Sequence, residues 1–309
     1  MSRPRNPGLA VTIAGLRLKN PVMNASGTYD PFLYRDIVDP QRLGAVVLKS
    51  ITRDPREGNE PPRMHEVPCG VLNSIGIPNE GIEGFLRHKA PLLASLGDVV
   101  VIASVAGFSA AEFAEVVERL EAVKEIGAYE INVSCPNLER GGINCALSEH
   151  CVAEVTGAVR EKTRKPVIVK LAPDVTDVGK VARVAVDAGA DALTVANTYR
   201  AMVVDLRSRR PIFRNVVAGY SGPAVKPLTL RAVYEVVRAV EVPVIASGGI
   251  TTARDALEYL LVGARAIQVG TANFVDPGAM IKVIEGIREF LASEGIADVN
   301  DFIGSLKID

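Results

Sequence analysis

Cys135 stands in the stretch Ile131-Asn132-Val133-Ser134-Cys135-Pro136-Asn137, at the end of an apolar run from Gly127 to Val133. Apolar and β-branched residues dominate that run and helix signals are missing, so it reads as a short buried strand. Pro136 lacks a backbone donor and biases Cys135 away from helix, which puts the thiol on a loop at the strand's carboxyl end. In parallel α/β architectures that end is where chemistry collects. A thiolate there can serve as base or nucleophile, but a lone cysteine is more often a small buried hydrophobe. The neighbouring strand ends have to decide between the two.

Those ends carry a polar set: Ser26-Gly27, Lys49-Ser50, Ser104, Asn132, Lys170, Asn197-Thr198, Gly248-Gly249 and Gly270-Thr271. Polar groups in or just after buried strands need partners, because each one left unpaired costs about 1 to 3 kcal/mol. A bound polar ligand would supply them. One strand-end lysine is as readily an internal ion pair or a snorkelling side chain. Lys49 and Lys170 facing one mouth favour an anionic or electron-rich ligand. Gly248-Gly249 before Thr251-Thr252, and Gly270-Thr271 before Ala272, have the glycines that let backbone N–H groups approach phosphate oxygens. Turns need glycine anyway, so it is the pair of turns together that points to a phosphate-bearing cofactor. The loop Gly70 to Gly81 holds Asn73, and with Asn132 and Asn197 it offers amides suited to a flat ring with carbonyl and N–H groups.

The elements that must position this set recur along the whole chain. Eight short apolar runs are expected as strands: Pro21 to Asn24, Ala45 to Leu48, Val99 to Ala103, Tyr129 to Val133, Val167 to Leu171, Ala192 to Ala196, Val244 to Ala246 and Ala266 to Val269. Helical spacing separates most of them, over Ala110 to Lys124, Glu149 to Lys162, Val178 to Asp187, Leu228 to Val240 and Ala253 to Val262. This alternation predicts a (β/α)8 barrel, one domain over residues 1–309, since no linker or compositional break divides the chain. Val11 to Ile13 and Leu16 to Leu18 flank Ala14-Gly15 and read as a hairpin that could floor the barrel. Two excursions, Arg53 to Gly81 and Tyr199 to Pro227, break the alternation on the face that carries Cys135 and read as lids or inserted structure.

Composition narrows the partners. A formal charge of -1 over 309 residues gives no electrostatic reason to expect nucleic acid or an anionic membrane. The four cysteines, Cys69, Cys135, Cys145 and Cys151, lack metal-site spacing, so neither a metal site nor a disulfide is expected. No apolar leader precedes Leu9 and no apolar segment reaches membrane-spanning length, so a soluble cytoplasmic protein is expected.

Taken together these residues resemble the class 1 dihydroorotate dehydrogenases, flavoproteins of pyrimidine synthesis. The resemblance runs nearly end to end, through Lys19 to Gly27, Leu48 to Thr52, Gly58 to Arg63, Asn73 to Gly81, Asn132 to Asn137, Val169 to Leu171, Asn197-Thr198, Gly219 to Pro227, Gly248-Gly249 and Gly270-Thr271. Gly58 to Arg63 and Gly70 to Gly76 look more like the NAD-linked class 1B catalytic subunits than the fumarate-using class 1A homodimers. The resemblance implies one FMN across the barrel mouth, held by Ser26, Lys49, Ser50, Ser104, Asn132, Lys170, Val195, Gly222, Gly248, Gly249, Gly270 and Thr271. It implies dihydroorotate bound by Lys49, Asn73, Ser74, Ile75, Gly76, Ile77, Asn132, Asn197 and Thr198, with Cys135 as catalytic base and Lys49 beside it.

The implied chemistry removes a proton and a hydride from adjacent ring carbons, the proton to the Cys135 thiolate and the hydride to the flavin. Class 1B enzymes pass the electrons to NAD through a partner subunit carrying FAD and an iron-sulfur cluster, in an expected heterotetramer of two catalytic and two electron-transfer chains. Ser104 stands where the family commonly has Asn, and Ile143 to Leu147 replaces its usual Phe-Gly pattern. The rival readings are a fumarate-dependent class 1A enzyme, a dihydropyrimidine dehydrogenase and a non-catalytic flavin-binding scaffold.

Overall fold

The computed structural model describes residues 6–133 and 148–308, so Cys135 and Cys145 lie outside the described residues. The eight apolar runs become strands buried on nearly every residue, a pattern stable only when helices wrap the sheet. In chain order they are β1 (Val22–Asn24), β2 (Ala45–Val47), β3 (Val100–Val105) and β4 (Ile126–Asn132), then β5 (Val167–Leu171), β6 (Ala192–Val195), β7 (Val244–Ser247) and β8 (Ala266–Val269). Each pairs in parallel with the next, and β8 pairs with β1 through Gln268↔Met23, closing the barrel. The alternation of strand and helix is thus realised as the expected (β/α)8 fold.

Among the described residues six longer helices form the wrapping: α1 (Ala110–Leu120), α2 (Glu149–Lys162), α3 (Val178–Asp187), α4 (Lys226–Ala239), α5 (Ala253–Leu261) and α6 (Ala279–Glu294). Their starts are chemically marked. Ser109 accepts from the Glu112 amide, Asp177 from Lys180, and Thr252 with Asp255 forms a reciprocal capping box. Helix α1 stops at Leu120 rather than at Lys124, because β4 already begins at Ile126 and residues 121–125 are needed to reverse the chain.

The hairpin pairs Val11 with Leu18 around Ala14 and Gly15, both at positive φ, as two-residue turns of this kind require. Val11, Ile13 and Leu18 are buried in the main core. Residues Ala10 to Thr12 share a shallow cavity with Pro243 and Val244, which places the hairpin at the amino end of the strands.

The two excursions do more than leave the same face. They pair with each other in a four-stranded antiparallel sheet in the order Tyr199–Ala201, Ala218–Ser221, Gly70–Asn73, Met64–Val67. Its central register matches Gly219 to Asn73 and Ser221 to Val71. Leu72, Phe213 and Ala218 give this sheet a small hydrophobic core of its own, separate from the barrel's. Among the described cysteines, Cys69 is a free, exposed thiol.

Candidate active site

Between the carboxyl ends of the strands and the four-stranded sheet lies a cavity of about 380 Å³, within the range of small-molecule sites. The expected residues that reach its wall come from every quarter of the barrel. Ser26, Lys49, Ser50, Asn132 and Lys170 line the strand side, joined by Asn197 and Thr198. Gly222, Gly248, Gly249, Gly270 and Thr271 line the side of the last turns, and Asn73, Ile75, Gly76 and Ile77 line the roof. Three expected contacts sit one layer back. Val195 is fully buried, because strand alternation sends its neighbour Thr194 inward to Glu130 and Val195 outward to the helices. Ser104 is buried behind Ser50, their hydroxyls 2.8 Å apart, and Ser74 is buried where the Asn59 amide donates to it. Cys135, three residues beyond the end of β4, lies outside the described residues.

Hydrogen bonds fix the wall before any ligand arrives. Asn197 donates its amide to Asn132 Oδ1 at 3.1 Å, and its own Oδ1 accepts from the Thr198 amide at 2.8 Å. Asn73 donates to the Gly219 carbonyl, tying the two halves of the roof, and the Thr271 hydroxyl donates to Ser221, tying roof to barrel. Ser26 donates to the Leu48 carbonyl, which leaves its hydroxyl oxygen directed by the strand beside it.

The last turns are braced from behind. Asp255 accepts from the Thr251 and Thr252 amides and hydroxyls, and Lys226 donates to it at 2.8 Å. Burial alone would raise this carboxyl, but Lys226 and the threonine donors outweigh it and hold Asp255 well below the usual carboxylate range. The Tyr259 hydroxyl donates to the Gly248 carbonyl at 2.7 Å. Gly249 is dictated by the fold: its φ is +66°, and a Cβ there would come 2.7 Å from the Lys226 amide nitrogen. Gly270 is different. Its φ is not left-handed, and a Cβ would meet only Ala25 Cβ at 3.5 Å, ordinary contact. Nothing among the described residues forbids a side chain there, so the bare backbone suits close approach by a ligand. Gly270 opens on the cavity beside Thr271, while two lysines and three asparagines face it elsewhere, and this donor set fits a phosphate-bearing heterocyclic cofactor. Among the described residues no cluster of His, Cys, Asp or Glu is placed to hold a metal ion.

Several wall residues were not singled out from sequence. Tyr220 and Ser221 belong to the roof, and only the folded excursions bring them in; Phe274 stands at the rim, on the short helix Ala272–Val275 that follows β8. Glu130 and Gln268 are buried inside the barrel, and Glu130 reaches the cavity. A charged residue inside an apolar strand was the available signal for Glu130.

A family model described as Dihydroorotate dehydrogenase matches residues 8–291. A relative from Desulforudis audaxviator is 50% identical over 302 residues, 96% of each chain, and one from Thermoanaerobacter sp. (strain X514) is 46% identical over 97% of this chain and 99% of its own. A third, from Geobacter sulfurreducens, is 47% identical over 98% of this chain and all of its own. Each of the three is named "Dihydroorotate dehydrogenase B (NAD(+)), catalytic subunit". Among solved structures, DHODH from Eimeria tenella in complex with ferulenol superposes with a TM-score of 0.80 at 24% identity, covering 97% of this chain and 89% of that one, which is a likeness of fold. The chain belongs to the dihydroorotate dehydrogenase family.

Proposed function

We propose that this chain is the catalytic subunit of an NAD-linked dihydroorotate dehydrogenase, oxidising (S)-dihydroorotate to orotate in de novo pyrimidine biosynthesis. The observation that carries the reading is the cavity, where Lys49, Lys170, Asn73, Asn132 and Asn197 converge with the last two glycine turns. The names of relatives 46 to 50% identical over nearly the whole chain supply the reaction. Residues 1–309 act as one FMN-binding domain, in the cytoplasm; no described helix is long and apolar enough to cross a membrane.

FMN, when bound, supplies the hydride acceptor. Ser26, Ser50 and Asn132 with Lys49 and Lys170 would hold its ring, and Gly222, Gly248, Gly249, Gly270 and Thr271 its phosphate arm. Lys49, with Asn73, Asn132, Asn197 and Thr198, orients the substrate ring, since amides can pair with its carbonyls and N–H groups alike. Asn132 and Asn197 are already locked together, so little side-chain freedom is lost when substrate arrives. The Cys135 thiolate takes the proton from the carbon beside the ring carbonyl; a free thiol begins near about 8.5, so nearby donors need stabilise it only modestly. The roof, closed by Asn73 and Thr271, keeps water away from this proton. Electrons leave to a partner subunit carrying FAD and an iron-sulfur cluster, in a heterotetramer of two chains of each kind.

The test is anaerobic rapid mixing of the FMN-loaded protein with dihydroorotate, following flavin absorbance, alongside Cys135→Ser. Fast bleaching in the wild type, slowed at least a hundredfold in the variant (~10² or more for a general base), is the expected result. Bleaching by dihydrouracil but not by dihydroorotate would reassign the substrate, and bleaching by neither would overturn the reading.

A further inference from the structure

A carboxylate inside a barrel strand is kept only if something there needs it, because burial strongly disfavours an unpaired charge. Glu130 is the fifth residue of β4, fully buried, and its side chain points into the barrel below the cavity. Two donors hold one of its oxygens. Oε2 accepts from the Gln268 amide of β8 at 2.5 Å and from the Thr194 hydroxyl of β6 at 3.0 Å. The other oxygen, Oε1, has no hydrogen-bond partner among the described residues and faces Lys170 Nζ of β5 at 3.6 Å. Lys170 in turn donates to Gln268 Oε1 at 3.1 Å. Four strands therefore contribute one side chain each to a closed arrangement, with Gln268 bridging the carboxylate and the ammonium.

The placement has an electrostatic consequence. Lys170 lines the cavity and is itself buried, so its charge acts on any ligand with little screening by water. A flavin that takes up a hydride gains two electrons and one proton and so gains one negative charge, which a bare lysine beside it would favour strongly. Glu130, equally buried and within 3.6 Å of that lysine, offsets the attraction.

We propose that Glu130 is a positioning residue that fixes Lys170 and balances its charge, and so lowers the electron affinity of the flavin in this cavity. Such a flavin accepts the substrate's electrons and still releases them to a low-potential acceptor. This role rests on the FMN reading given above. Gln268 and Thr194 hold the carboxylate in place, and the pair Glu130–Lys170 sets the charge that the ring meets.

The test is a spectroelectrochemical titration of bound FMN in four proteins: wild type, Glu130→Gln, Lys170→Gln and the double variant. FMN binding is established first for each, by quenching of FMN fluorescence. With Glu130→Gln the ratio of reduced to oxidised flavin at fixed potential should rise at least tenfold, a midpoint shift of about +30 mV for a two-electron couple. Lys170→Gln should lower the ratio by a similar factor. The double variant, which restores a neutral pair, should fall within threefold of wild type. A Glu130→Gln midpoint equal to the wild-type value, with Lys170→Gln shifted, would overturn the proposal and leave Glu130 a purely structural residue. If Glu130→Gln does not fold, the double variant decides: a wild-type midpoint supports the balance of charge, and the Lys170→Gln midpoint refutes it. A wild-type protein that binds no FMN would remove the flavin reading and this proposal with it.

Discussion

Gly270 and Gly249 look alike in sequence, each in a turn after one of the last two strands, and the structure separates them by what a methyl group would meet. At Gly249 an added Cβ collides with the Lys226 backbone at a left-handed φ, so the residue serves the fold. At Gly270 the only neighbour among the described residues is Ala25 at 3.5 Å, so the proposed reading gives this residue to a ligand. Gly270→Ala is therefore expected to leave the melting temperature of the FMN-free protein within about 1 °C of wild type, a shift of about 0.6 kcal/mol or less. FMN affinity should fall about tenfold or more, equivalent to about 1.4 kcal/mol. Fluorescence titration with thermal melting of the stripped protein checks both, and a destabilised variant with unchanged affinity would reverse the assignment. The glycines, lysines and asparagines of the wall were legible in sequence because they interrupt apolar strand ends, where the unusual residue is the informative one. Glu130 and Gln268 were not picked out, since each lies within a run whose other residues carry the strand signal. Val195 shows the converse: the resemblance names it as a flavin contact, but strand alternation turns its side chain away from the cavity.

At the scale of elements, the eight strands and their helices followed from local periodicity, and only boundaries moved, as at Leu120. The roof did not follow. Its two halves are separated by four of the eight strands, β3 to β6, with Asn73 bonded to Gly219 across 146 residues, and pairing over such distances leaves no local pattern to read. What the sequence did show was two Pro/Gly-rich excursions too long for plain connections. Because the roof owns a separate core, its stability should be separable from the barrel's. Phe213 is fully buried there and packs with Leu72 and Ala218. Phe213→Ala removes most of that core, at a cost of about 3 to 5 kcal/mol, which exceeds what three buried residues can hold. Hydrogen exchange should then accelerate in residues 64–73 and 199–221 while β1 to β8 keep wild-type protection. KM for dihydroorotate should rise by at least tenfold, since Asn73 through Ile77 would no longer be held over the cavity. Uniform loss of protection across roof and barrel would show that the two cores unfold as one.

For the whole molecule, the decisive feature is that the barrel's two ends do different work. The cavity, the roof and the glycine turns crowd the carboxyl ends of the strands, while the hairpin Val11 to Leu18 closes the amino ends and contributes nothing to the cavity wall. A closed barrel has no edge strand to lose, so damage at the amino end cannot be confined to a local opening as in the roof. Ile13 is the sharpest probe, a hairpin residue that is 2% exposed and part of the main core. Ile13→Ala should lower global stability by about 2 to 5 kcal/mol, with protection lost in parallel across β1 to β8. The fraction that remains folded should bind FMN with wild-type affinity and reduce it at the wild-type rate, because no cavity residue has moved. Paired with Phe213→Ala, this forms a crossed test: one substitution lowers stability and spares the site, and the other loosens the site and spares the barrel. If Ile13→Ala instead weakened FMN binding in molecules still folded by hydrogen exchange, the amino end would be coupled to the cavity through the strands. The division of labour between the two ends would then have to be given up.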